Sequence, residues 1–423
     1  AFETWRKSPR RERQALLRRV AASIRDRRQE LAELMADEIG KPITAALAEV
    51  DRTAITFDLS ADLLTMPSGE ILPCDFDARG DGYRCLVERF PIGAVFAVVP
   101  YNWPLNLAAH KIAPALAAGN TVLVKPATRS ALTTLALIRL IHEAGCPDGV
   151  VNGLACDNRV AERGLTDERV AMLSFTGSVP VGWSLKEKLP DRRVTLELGG
   201  DATAVVMPDA DLDWAVKRLV AGAFLYAGQI CISIQHALIH VDVYDQVIEK
   251  LIAATEACPA GDPRDPDVVC GPVIDSDAIE KIESWISEAE TAGAHVLAGG
   301  SRSGNVLMPT LIADVPASCQ LANEEVFGPV LTVSRFESPT GAIAKINGSK
   351  YGIHAGIFTS NIATAEQFFQ NLEVGGVIIN DFPTLRFDNM PYGGVKRSGV
   401  GREGVVSAYM EMTEPKVMLT RLT

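Results

Sequence analysis

The sequence lacks the cysteine spacings that build metal centres and redox pairs. Its 423 residues contain eight cysteines, and these form no CxxC pair and no metal-type cluster with histidine. Scattered, unpaired thiols in a chain of this length are typical of a reducing compartment. We therefore expect a cytoplasmic protein without a bound metal.

Long apolar runs and excess positive charge are also missing. In the first half of the chain, the longest apolar run extends from Ile92 to Pro100, which is the length of a strand and far too short to span a membrane. The net charge of −12 would repel nucleic acids and anionic membrane surfaces. We therefore expect neither a nucleic acid nor a membrane as partner, and a small molecule as ligand.

The chain does have an apolar content of 47%, enough for two or three domains with substantial cores. Helical spacing of apolar residues predicts an amphipathic helix over residues 1–35, with a basic, solvated face, and a second helix over Lys41–Leu64. Alternation at Tyr83–Phe90 predicts an exposed β-ribbon. Met410–Leu422 is predicted to be a strand that pairs with this ribbon.

Between these ends, strands and helices alternate, which is the pattern of a parallel sheet with crossover helices. The first half predicts the strands Ala94–Val99, Thr121–Val124, Val150–Leu154 and Ala171–Ser174 and the helices Leu105–Ala118 and Ala131–Ala144. The second half predicts the strands Ala204–Met207 and His236–Val241 and the helices Leu212–Tyr226, Tyr244–Thr255 and Ser276–Ala292. Two such halves, joined near Leu196–Asp201, indicate two α/β domains with a cleft between them.

One cysteine stands in a setting that can expose a nucleophile. Cys231 follows Gly228-Gln229-Ile230, where the apolar helical run Trp214–Tyr226 gives way to a glycine-marked turn. The ordinary alternative is a small buried apolar residue, which is the commonest fate of a free cysteine. The local sequence leaves both interpretations open.

Three segments are candidates for binding a nucleotide. Gly399–Gly404 matches the dinucleotide fingerprint GxGxxG, but a polar segment precedes it and the chain ends near where its carboxylate should stand, so we reject it. Lys125 follows an apolar strand, at the edge where open sheets bind ligands. Ser178 follows another strand at the start of a predicted helix, whose amide hydrogens favour phosphate. Two ordinary strand-to-helix turns are the alternative.

Seven ordered motifs carry a resemblance to a known family. They are Pro100-Tyr101-Asn102-Trp103-Pro104, Lys125-Pro126, Phe175-Thr176-Gly177-Ser178, Leu196-Glu197-Leu198-Gly199-Gly200, Gly228-Gln229-Ile230-Cys231, Glu324-Glu325-Val326-Phe327-Gly328-Pro329 and Pro391-Tyr392-Gly393-Gly394. In this order they resemble the aldehyde dehydrogenase superfamily over essentially the whole chain, lacking only the family's first several dozen residues. The resemblance implies NAD(P)-dependent oxidation of an aldehyde to a carboxylic acid. It also implies an α/β fold with a Rossmann-type cofactor domain, an α/β catalytic domain and a small β oligomerisation flap.

The resemblance assigns roles to individual residues. It implies that Cys231 is the nucleophile, Glu197 the general base and Asn102 the oxyanion donor. The residues implied in cofactor binding are Val99, Pro100, Lys125, Thr128, Thr176, Gly177, Ser178, Leu198, Gly199, Glu325 and Phe327. The residues implied in lining the aldehyde tunnel are Trp103, Asn106, His110, Ile230, Ile232 and Arg386, with 384–387 at its mouth.

The implied reaction needs these residue types. An aldehyde carbon gives up hydride readily only as a tetrahedral centre that carries an oxyanion, and a cysteine thiolate creates that centre by adding to the carbonyl. The side-chain amide of Asn102 and the backbone N–H of Cys231 can hold the oxyanion. The resulting thioester must then be hydrolysed. Glu197, flanked by leucines, is suited to activate water because partial burial would raise its pKa.

Three positions depart from the family's commonest pattern. Thr128 stands where many NAD-preferring members have a glutamate, and Arg129 follows it. The missing carboxylate and the arginine both favour a 2′-phosphate, so we expect that NADP is accepted, whether or not NAD is also used. The loop Gly153–Asn158 is shorter and less glycine-rich than usual, which predicts weaker cofactor binding. Asp201 replaces a frequent lysine, without a predicted consequence.

Polar residues in the implied tunnel bear on the substrate. Asn106, His110 and Arg386 are polar side chains, which are unusual in a tunnel that binds a long-chain or aromatic aldehyde. The segment Phe382–Tyr392 is similar to members that handle lactaldehyde, semialdehydes or small phosphorylated and phosphonylated aldehydes. We therefore expect a short, hydroxylated or anionic aldehyde. The alternative is that these polar groups face solvent.

Other functions remain possible from the sequence. In a CoA-acylating relative, CoA would take the acyl group, and Glu197 argues against that route because it needs no hydrolytic base. A non-catalytic binding protein on the same fold is disfavoured by the joint presence of Cys231, Glu197 and Asn102. A cysteine hydrolase would use His236 or His240 as base but would leave the cofactor motifs unexplained.

The resemblance also implies how the chain divides. The cofactor-binding domain would comprise residues 1–68 and 91–198, and the catalytic domain residues 199–395. Residues 69–90 and 396–423 would be oligomerisation elements. From these elements we expect a homodimer or a homotetramer.

Overall fold

The computed structural model describes residues 1–422, and its elements follow the strand and helix alternation of the sequence. The helices are α1 (Phe2–Trp5), α2 (Arg10–Asp26), α3 (Arg28–Ile39), α4 (Ile43–Asp62), α5 (Asn106–Ala118), α6 (Ala131–Glu143), α7 (Asn158–Leu165), α8 (Val179–Glu187), α9 (Leu212–Phe224), α10 (Tyr244–Glu256), α11 (Ser276–Thr291), α12 (Gln320–Asn323), α13 (Pro339–Asn347), α14 (Ile362–Asn371) and α15 (Val405–Glu411). The strands are β1 (Gly69–Leu72), β2 (Tyr83–Pro91), β3 (Ala94–Val98), β4 (Thr121–Lys125), β5 (Val151–Gly153), β6 (Val170–Thr176), β7 (Arg193–Glu197), β8 (Thr203–Val206), β9 (His236–His240), β10 (His295–Ala298), β11 (Arg302–Ser303), β12 (Val306–Leu307), β13 (Thr310–Ala313), β14 (Val330–Phe336), β15 (His354–Phe358), β16 (Gly376–Ile379), β17 (Gly399–Val400) and β18 (Thr413–Arg421).

The first half of the chain forms a six-stranded sheet in the order β17-β7-β6-β3-β4-β5. All neighbours are parallel except β17, which is antiparallel to β7. One face of β3 packs through Val95 and Ala97 against the N-terminal helices, and the other packs through Phe96 beneath α7. Because both of its faces are covered, β3 is apolar throughout, as the sequence predicted for a parallel sheet with crossover helices.

The second half forms a seven-stranded sheet in the order β10-β13-β14-β9-β8-β15-β16. Only β10 runs antiparallel to its neighbour within the part of this sheet that the structure describes. Helices α9 and α10 cover one face of this sheet, and helices α13 and α14 cover the other. Each pair of helices packs over a separate apolar core. The predicted α/β architecture is confirmed.

A third, antiparallel sheet has the order β1-β2-β18 and forms the flap. Strand β18 pairs with β2 from Thr413 opposite Pro91 to Arg421 opposite Tyr83, so the predicted pairing is confirmed. The predicted strand start at Met410 was wrong, because Met410 belongs to α15. The flap exposes apolar residues, with Ile71 58% and Val417 61% exposed.

The segment 396–423, which the sequence assigned to assembly as a whole, divides between separate parts of the fold. Strand β17 joins the first sheet beside β7, and α15 packs on α5 and α4. Only β18 belongs to the flap. The other predicted domain boundaries remain predictions.

The N-terminal segment differs from the single solvated helix that its periodicity predicted. It forms α1, α2 and α3, and the chain leaves helical geometry at Arg27, with φ −106° and ψ 24°. The break lets both α2 and α3 pack on α4. The basic face is largely exposed, as predicted, and forms surface ion pairs with α4: Arg18 pairs with Asp58 at 2.5 Å and Arg28 with Asp51 at 2.6 Å.

Two further findings concern the length of the apolar helices and the state of the cysteines. None of the helices described over residues 1–422 is long and apolar enough to cross a membrane. All eight cysteines are free thiols.

Candidate active site

A strained turn carries Cys231. Helix α9 ends at Phe224, two residues before the predicted end, because Tyr226, Ala227 and Gly228 are left-handed, with φ of 52°, 52° and 66°. Such a conformation costs a non-glycine residue about 1–3 kcal/mol, so surrounding contacts must hold it. The side chain of Gln229 supplies them: its Oε1 accepts hydrogen bonds from the Ile274 N–H at 2.9 Å and the Tyr101 hydroxyl at 3.1 Å.

The Cys231 thiol is partly buried and lies 3.0 Å from the Tyr392 hydroxyl. Burial raises its pKa to about 12, whereas the contact with Tyr392 and the charge of Arg386 act in the opposite direction. The carboxylates of Glu325 and Glu197 add to the upward shift, because both lie close enough to oppose a thiolate. The resting site therefore holds a protonated thiol that must lose its proton before it can attack.

Asn102 lies between β3 and α5 and is buried. Its Nδ2 donates a hydrogen bond of 2.8 Å to the carbonyl of Gln229, two residues before Cys231. A side-chain amide has two hydrogens, so this bond leaves one for an oxyanion. The fold thus brings Asn102 to the turn of Cys231, as its predicted role requires.

Glu197 is the last residue of β7 and is 3% exposed. Neither of its carboxylate oxygens has a hydrogen-bond partner among residues 1–422. Burial and the nearby charge of Glu403 raise the pKa of Glu197 well above its usual value. Gly393, at φ +154°, leaves room for the carboxylate, because a Cβ there would lie 2.7 Å from Glu197 Oε1.

A buried ion pair next to Glu197 was missed in the sequence. Lys111 donates to Glu403 Oε1 at 2.6 Å and to Ser174 Oγ at 3.1 Å. Burial alone would raise the pKa of Glu403, but Lys111 and Arg386 lower it overall, so the residue is a carboxylate. Glu403 lies within the rejected GxGxxG string, whose first two residues form β17 instead of a phosphate-binding turn. The sequence signal that could have indicated this ion pair was Lys111, a lysine within the apolar helix α5.

Arg386 is buried beside the thiol. Its Cζ lies 3.9 Å from the centre of the Tyr392 ring, whose hydroxyl contacts Cys231. Across the described chain, its Nε and Nη2 have no hydrogen-bond partner, and the nearest carboxylate oxygen, on Glu403, is 3.8 Å from Nη2. A buried guanidinium with unsatisfied donors costs free energy unless a ligand completes it.

Asp388 contacts the other polar side chains near the predicted tunnel. Its Oδ1 accepts from Arg52 Nη2 at 2.7 Å and Asn106 Nδ2 at 3.1 Å and lies 2.9 Å from His110 Nε2. Burial and Arg386 lower the pKa of His110 to about 4, so the ring is neutral. Asn106 and His110 are buried, so the alternative that they face solvent was wrong. Contact with an aldehyde remains a prediction.

The remaining predicted tunnel residues are buried or partly buried in the structure, and their contact with an aldehyde remains a prediction. Ile230 and Ile232 flank Cys231 in sequence and are buried. Thr384, at the predicted mouth, donates from Oγ1 to the Ile232 carbonyl at 2.8 Å and thus ties the mouth to the turn. The Trp103 ring lies beneath another buried group, Lys41 Nζ, at 3.4 Å.

A cavity of about 360 Å³ opens at the carboxyl ends of β3 and β4. Apolar side chains, including Phe96, Phe175 and Leu185, line it, and Lys125 stands at its edge, where Nζ donates to Asn158 Oδ1 at 3.2 Å. An apolar cleft with few polar groups, at this edge of a parallel sheet, fits the adenosine end of a dinucleotide. The backbone of Val99 is fixed beside it, because its N–H donates to the Lys125 carbonyl at 3.1 Å, and Pro100 follows.

The other predicted cofactor residues continue from this cavity toward the thiol. Thr176 ends β6, and Ser178 occupies the N-cap of α8. Because Pro180 has no N–H, the first turn of this helix offers a phosphate the N–H groups of Val179 and Val181. The Gly177 N–H donates to the Glu197 carbonyl at 3.1 Å. The α8 glycine at position 182 gives Leu198 room to pack against this helix.

The nicotinamide end of the predicted path lies over the Leu-Gly-Gly segment. Glu325 Oε1 accepts from the Gly200 N–H at 3.1 Å, and its carboxylate occupies the space that a Cβ on Gly199 would fill. Burial raises the pKa of Glu325 to about 7. Phe327 has a left-handed φ of 51° and packs edge-to-face on Tyr101. These residues form a cradle that fits a ribose and a flat ring.

The predicted contribution of Arg129 to a 2′-phosphate has no support in its contacts. Thr128 is exposed at the end of β4, as expected for a residue that faces a ribose. Arg129 instead pairs with Asp275 at 2.8 Å, because the segment before α11 brings that carboxylate alongside it. The role of position 128 in discriminating between the two cofactors remains a prediction.

Comparison with known proteins shows the family to which the chain belongs. The family model described as the aldehyde dehydrogenase family matches residues 1–418. The chain belongs to the aldehyde dehydrogenase family. It is an NAD(P)-dependent oxidoreductase with the aldehyde dehydrogenase fold, so the predicted family, fold and enzyme class are confirmed.

Relatives of this aldehyde dehydrogenase cover nearly all of the chain. The 3-sulfolactaldehyde dehydrogenase of Priestia megaterium is 38% identical over 97% of this chain and 86% of its own length. Aldehyde dehydrogenase 21 of Physcomitrella patens, solved with the reaction product succinate, superposes with a TM-score of 0.97 at 40% identity, over 100% of this chain and 88% of its own. The glyceraldehyde-3-phosphate dehydrogenase GapN of Methanocaldococcus jannaschii, solved with NADP, has a TM-score of 0.95 at 37% identity, over 99% and 91%.

Proposed function

We propose that this aldehyde dehydrogenase oxidises a short aldehyde that carries an anionic group, a hydroxyl group or both. The observation that carries the proposal is Arg386, a buried guanidinium with two unsatisfied donors beside the nucleophilic thiol. The relatives agree with it, because sulfolactaldehyde carries a sulfonate and a hydroxyl, and succinate is a dicarboxylate.

The expected length of the substrate follows from Tyr392, whose side chain lies between the Cys231 thiol and the Arg386 guanidinium. The Tyr392 ring lies under the guanidinium, and its hydroxyl contacts Cys231 Sγ. A substrate bonded to Sγ must cross about one aromatic ring to reach Arg386, which corresponds to roughly three or four carbon atoms between aldehyde and anion at ordinary hydrogen-bond distances. A hydroxyl on the intervening carbon would lie next to the polar tip of Tyr392.

Acylation begins at Cys231. Once the thiol has given its proton to solvent water, sulfur bonds to the carbonyl carbon and the π electrons move to oxygen. The free amide hydrogen of Asn102 and the backbone N–H of Cys231 stabilise this oxyanion. A nicotinamide cofactor held by Lys125, Ser178 and Glu325 would supply the two-electron oxidant for removal of the hydride from this carbon. The carbonyl re-forms and leaves a thioester on Cys231.

Glu197 completes the turnover. Its unpartnered carboxylate takes a proton from a water molecule, whose oxygen adds to the thioester carbon. The carbon–sulfur bond then breaks, which releases the carboxylic acid and restores the thiolate. The raised pKa of Glu197 makes the carboxylate a stronger base than an exposed glutamate.

The adenosine end is proposed to accept NADP, because Thr128 removes the carboxylate that would repel a 2′-phosphate and Lys125 supplies a positive charge nearby. Thr128→Glu is expected to lower kcat/KM for NADP more than for NAD. Arg129→Met should change the ratio little, because its guanidinium is engaged by Asp275. An unchanged ratio in Thr128→Glu would contradict this assignment.

The assembly and the compartment are also proposed. The exposed apolar residues of the flap favour burial against a second copy, as a homodimer or homotetramer. The eight free thiols favour a reducing compartment such as the cytoplasm. Light scattering of the purified protein tests the assembly, and a monomer would contradict it.

An aldehyde panel tests the proposed substrate. Succinic semialdehyde, glyceraldehyde 3-phosphate, lactaldehyde, hexanal and benzaldehyde are compared by the appearance of reduced cofactor, without CoA, and the acid is quantified. We expect equal amounts of acid and reduced cofactor, with the highest kcat/KM for a short anionic or hydroxylated aldehyde. Activity confined to hexanal or benzaldehyde would contradict the proposal. A requirement for CoA would favour the acylating alternative.

A further inference from the structure

The loop that carries Asn102 is held by two charged side chains from outside it. Residues 101–105 form no regular helix or strand, and their backbone polar groups need partners from elsewhere. Lys41, just before α4, and Glu49, within α4, supply several of them. Both side chains are 0% exposed.

The contacts of the pair converge on this loop. Lys41 Nζ donates to Glu49 Oε2 at 2.5 Å and to the backbone carbonyl of Asn102 at 2.9 Å. The other oxygen, Glu49 Oε1, accepts from the backbone N–H groups of Leu105 at 2.8 Å and Asn106 at 3.0 Å. Two charges of opposite sign thus bind two ends of one five-residue loop.

Glu49 acts as an N-terminal cap for α5. Leu105, at the N-cap position, has no side-chain oxygen for the first N–H groups of the helix. A carboxylate at this end also interacts favourably with the helix dipole. Lys41 then connects the capped helix end to the Asn102 carbonyl, so the loop is tied across its length.

The second attachment of Asn102 comes from the nucleophile's own turn. Its Nδ2 donates to the Gln229 carbonyl at 2.8 Å, while its backbone carbonyl accepts from Lys41. The oxyanion donor is therefore held on one side by the turn of Cys231 and on the other by the buried pair. Movement of the backbone side by a fraction of an ångström would misdirect the free amide hydrogen.

We propose that Lys41 and Glu49 are positioning residues for the oxyanion donor Asn102. The inference rests on the proposed function, because it acts through the role of Asn102 there. Burial lowers the pKa of Lys41 to about 8, and Glu49 opposes that shift, so Lys41 is mainly an ammonium ion at pH 7. Buried ion pairs are in general weak contributors to stability, so a positioning role predicts that the pair matters more for rate than for folding.

The test removes the ion pair while keeping the cap of α5. In Lys41→Met/Glu49→Gln, the glutamine Oε1 can still accept from Leu105 and Asn106, but the bond to the Asn102 carbonyl is lost. We expect kcat at pH 7 to fall about 10- to 100-fold, which is less than the loss of an entire oxyanion donor, while KM and the cofactor Kd change less than about 2-fold. Iodoacetamide alkylation of Cys231, which needs no oxyanion donor, should be unchanged.

A double-mutant cycle separates positioning from a merely structural role. In an Asn102→Ala background, Lys41→Met/Glu49→Gln should cost less than about 2-fold in kcat, because the group that it positions is absent. Ser60→Ala is the matched control: it removes a buried hydrogen bond of 2.8 Å in the same helix and should leave kcat unchanged.

The outcomes that would overturn this inference differ from those that would refute the proposed function. Additive losses with Asn102→Ala, or an unchanged kcat in the folded variant, would overturn the inference. An Asn102→Ala enzyme as active as the parent would instead refute the oxyanion role within the proposed function. If the double replacement does not fold, Lys41→Met alone removes the bond to the Asn102 carbonyl and leaves Glu49 bonded to the Leu105 and Asn106 N–H groups. It should lower kcat in the parent and have no effect in the Asn102→Ala background, and equal effects in both would overturn the inference.

Discussion

Replacement of Arg386 by methionine changes the group proposed to recognise the anionic end of the substrate. Methionine retains much of the buried volume but removes the two unsatisfied donors, Nε and Nη2. It also removes a positive charge that lowers the pKa of Cys231. All aldehydes should therefore react more slowly with the variant. An anionic aldehyde should lose more, because it alone also loses its binding partner.

The size of the selective loss follows from the burial of the guanidinium. A hydrogen bond to a charged group contributes about 1.5–3 kcal/mol, so two donors to one anion are worth about 3–4 kcal/mol when the bonds share a rigid geometry. Each factor of ten corresponds to about 1.4 kcal/mol, which gives a loss of about 140- to 700-fold in kcat/KM beyond that of a neutral aldehyde.

The assay compares succinic semialdehyde with its methyl ester, which has the same carbon skeleton without the charge. The measured quantity is the ratio of the two kcat/KM values in the parent and in Arg386→Met. Arg397→Met is the control, because Arg397 lies on the same segment but is exposed. An unchanged ratio in Arg386→Met would refute the assignment, whatever happened to the absolute rates.

Four further changes test other parts of the site. Glu197→Gln should form one equivalent of reduced cofactor per Cys231 and then turn over at least about 100-fold more slowly, because only hydrolysis needs the base; stopped-flow absorbance without this burst would contradict its role. Tyr392→Phe should shift the pH profile of iodoacetamide alkylation of Cys231 upward, because it removes the contact that lowers the thiol pKa, and a downward shift would contradict that contact. Gly393→Ala should retain the burst but slow acid release, because its Cβ would lie 2.7 Å from Glu197 Oε1; release at the parent rate would show that the carboxylate does not need this space. His110 has a pKa of about 4 in the fold against 6.5 for the free side chain, so the unfolded state binds more protons between these values and the free energy of unfolding should fall as pH drops through this window; denaturant titrations of His110→Gln should show a weaker fall, and an equal one would exclude His110 as its source.

The parts of the fold with a strong local signal could be predicted from the sequence. The alternating apolar strands and helices specify parallel sheets with covered faces, since a strand that is apolar on both sides must be buried on both. The family motifs identified Cys231, Glu197 and Asn102 as candidates for the chemistry. These features lie within single elements or short segments, so no distant contact is needed to recognise them.

The break at Arg27 and the end of α9 at Phe224 could not be predicted in the same way. Apolar spacing continues through residues 1–35, but packing of both α2 and α3 on α4 requires the chain to bend. The run to Tyr226 is equally apolar, yet contacts made by Gln229 hold three left-handed residues after α9. In both cases tertiary contacts outweigh local helix preference.

The amino-acid sequence by itself determined the α/β class, the paired flap strands and the candidates proposed to form and hydrolyse the thioester. Only the tertiary structure decided which charges meet. Lys111 and Glu403 are 292 residues apart, and Arg129 is turned to Asp275 instead of toward a 2′-phosphate. Periodicity in the sequence indicates on which face of its own helix or strand a residue lies. An ion pair, or an unsatisfied donor such as Arg386 Nη2, depends instead on which distant residues the fold brings alongside it.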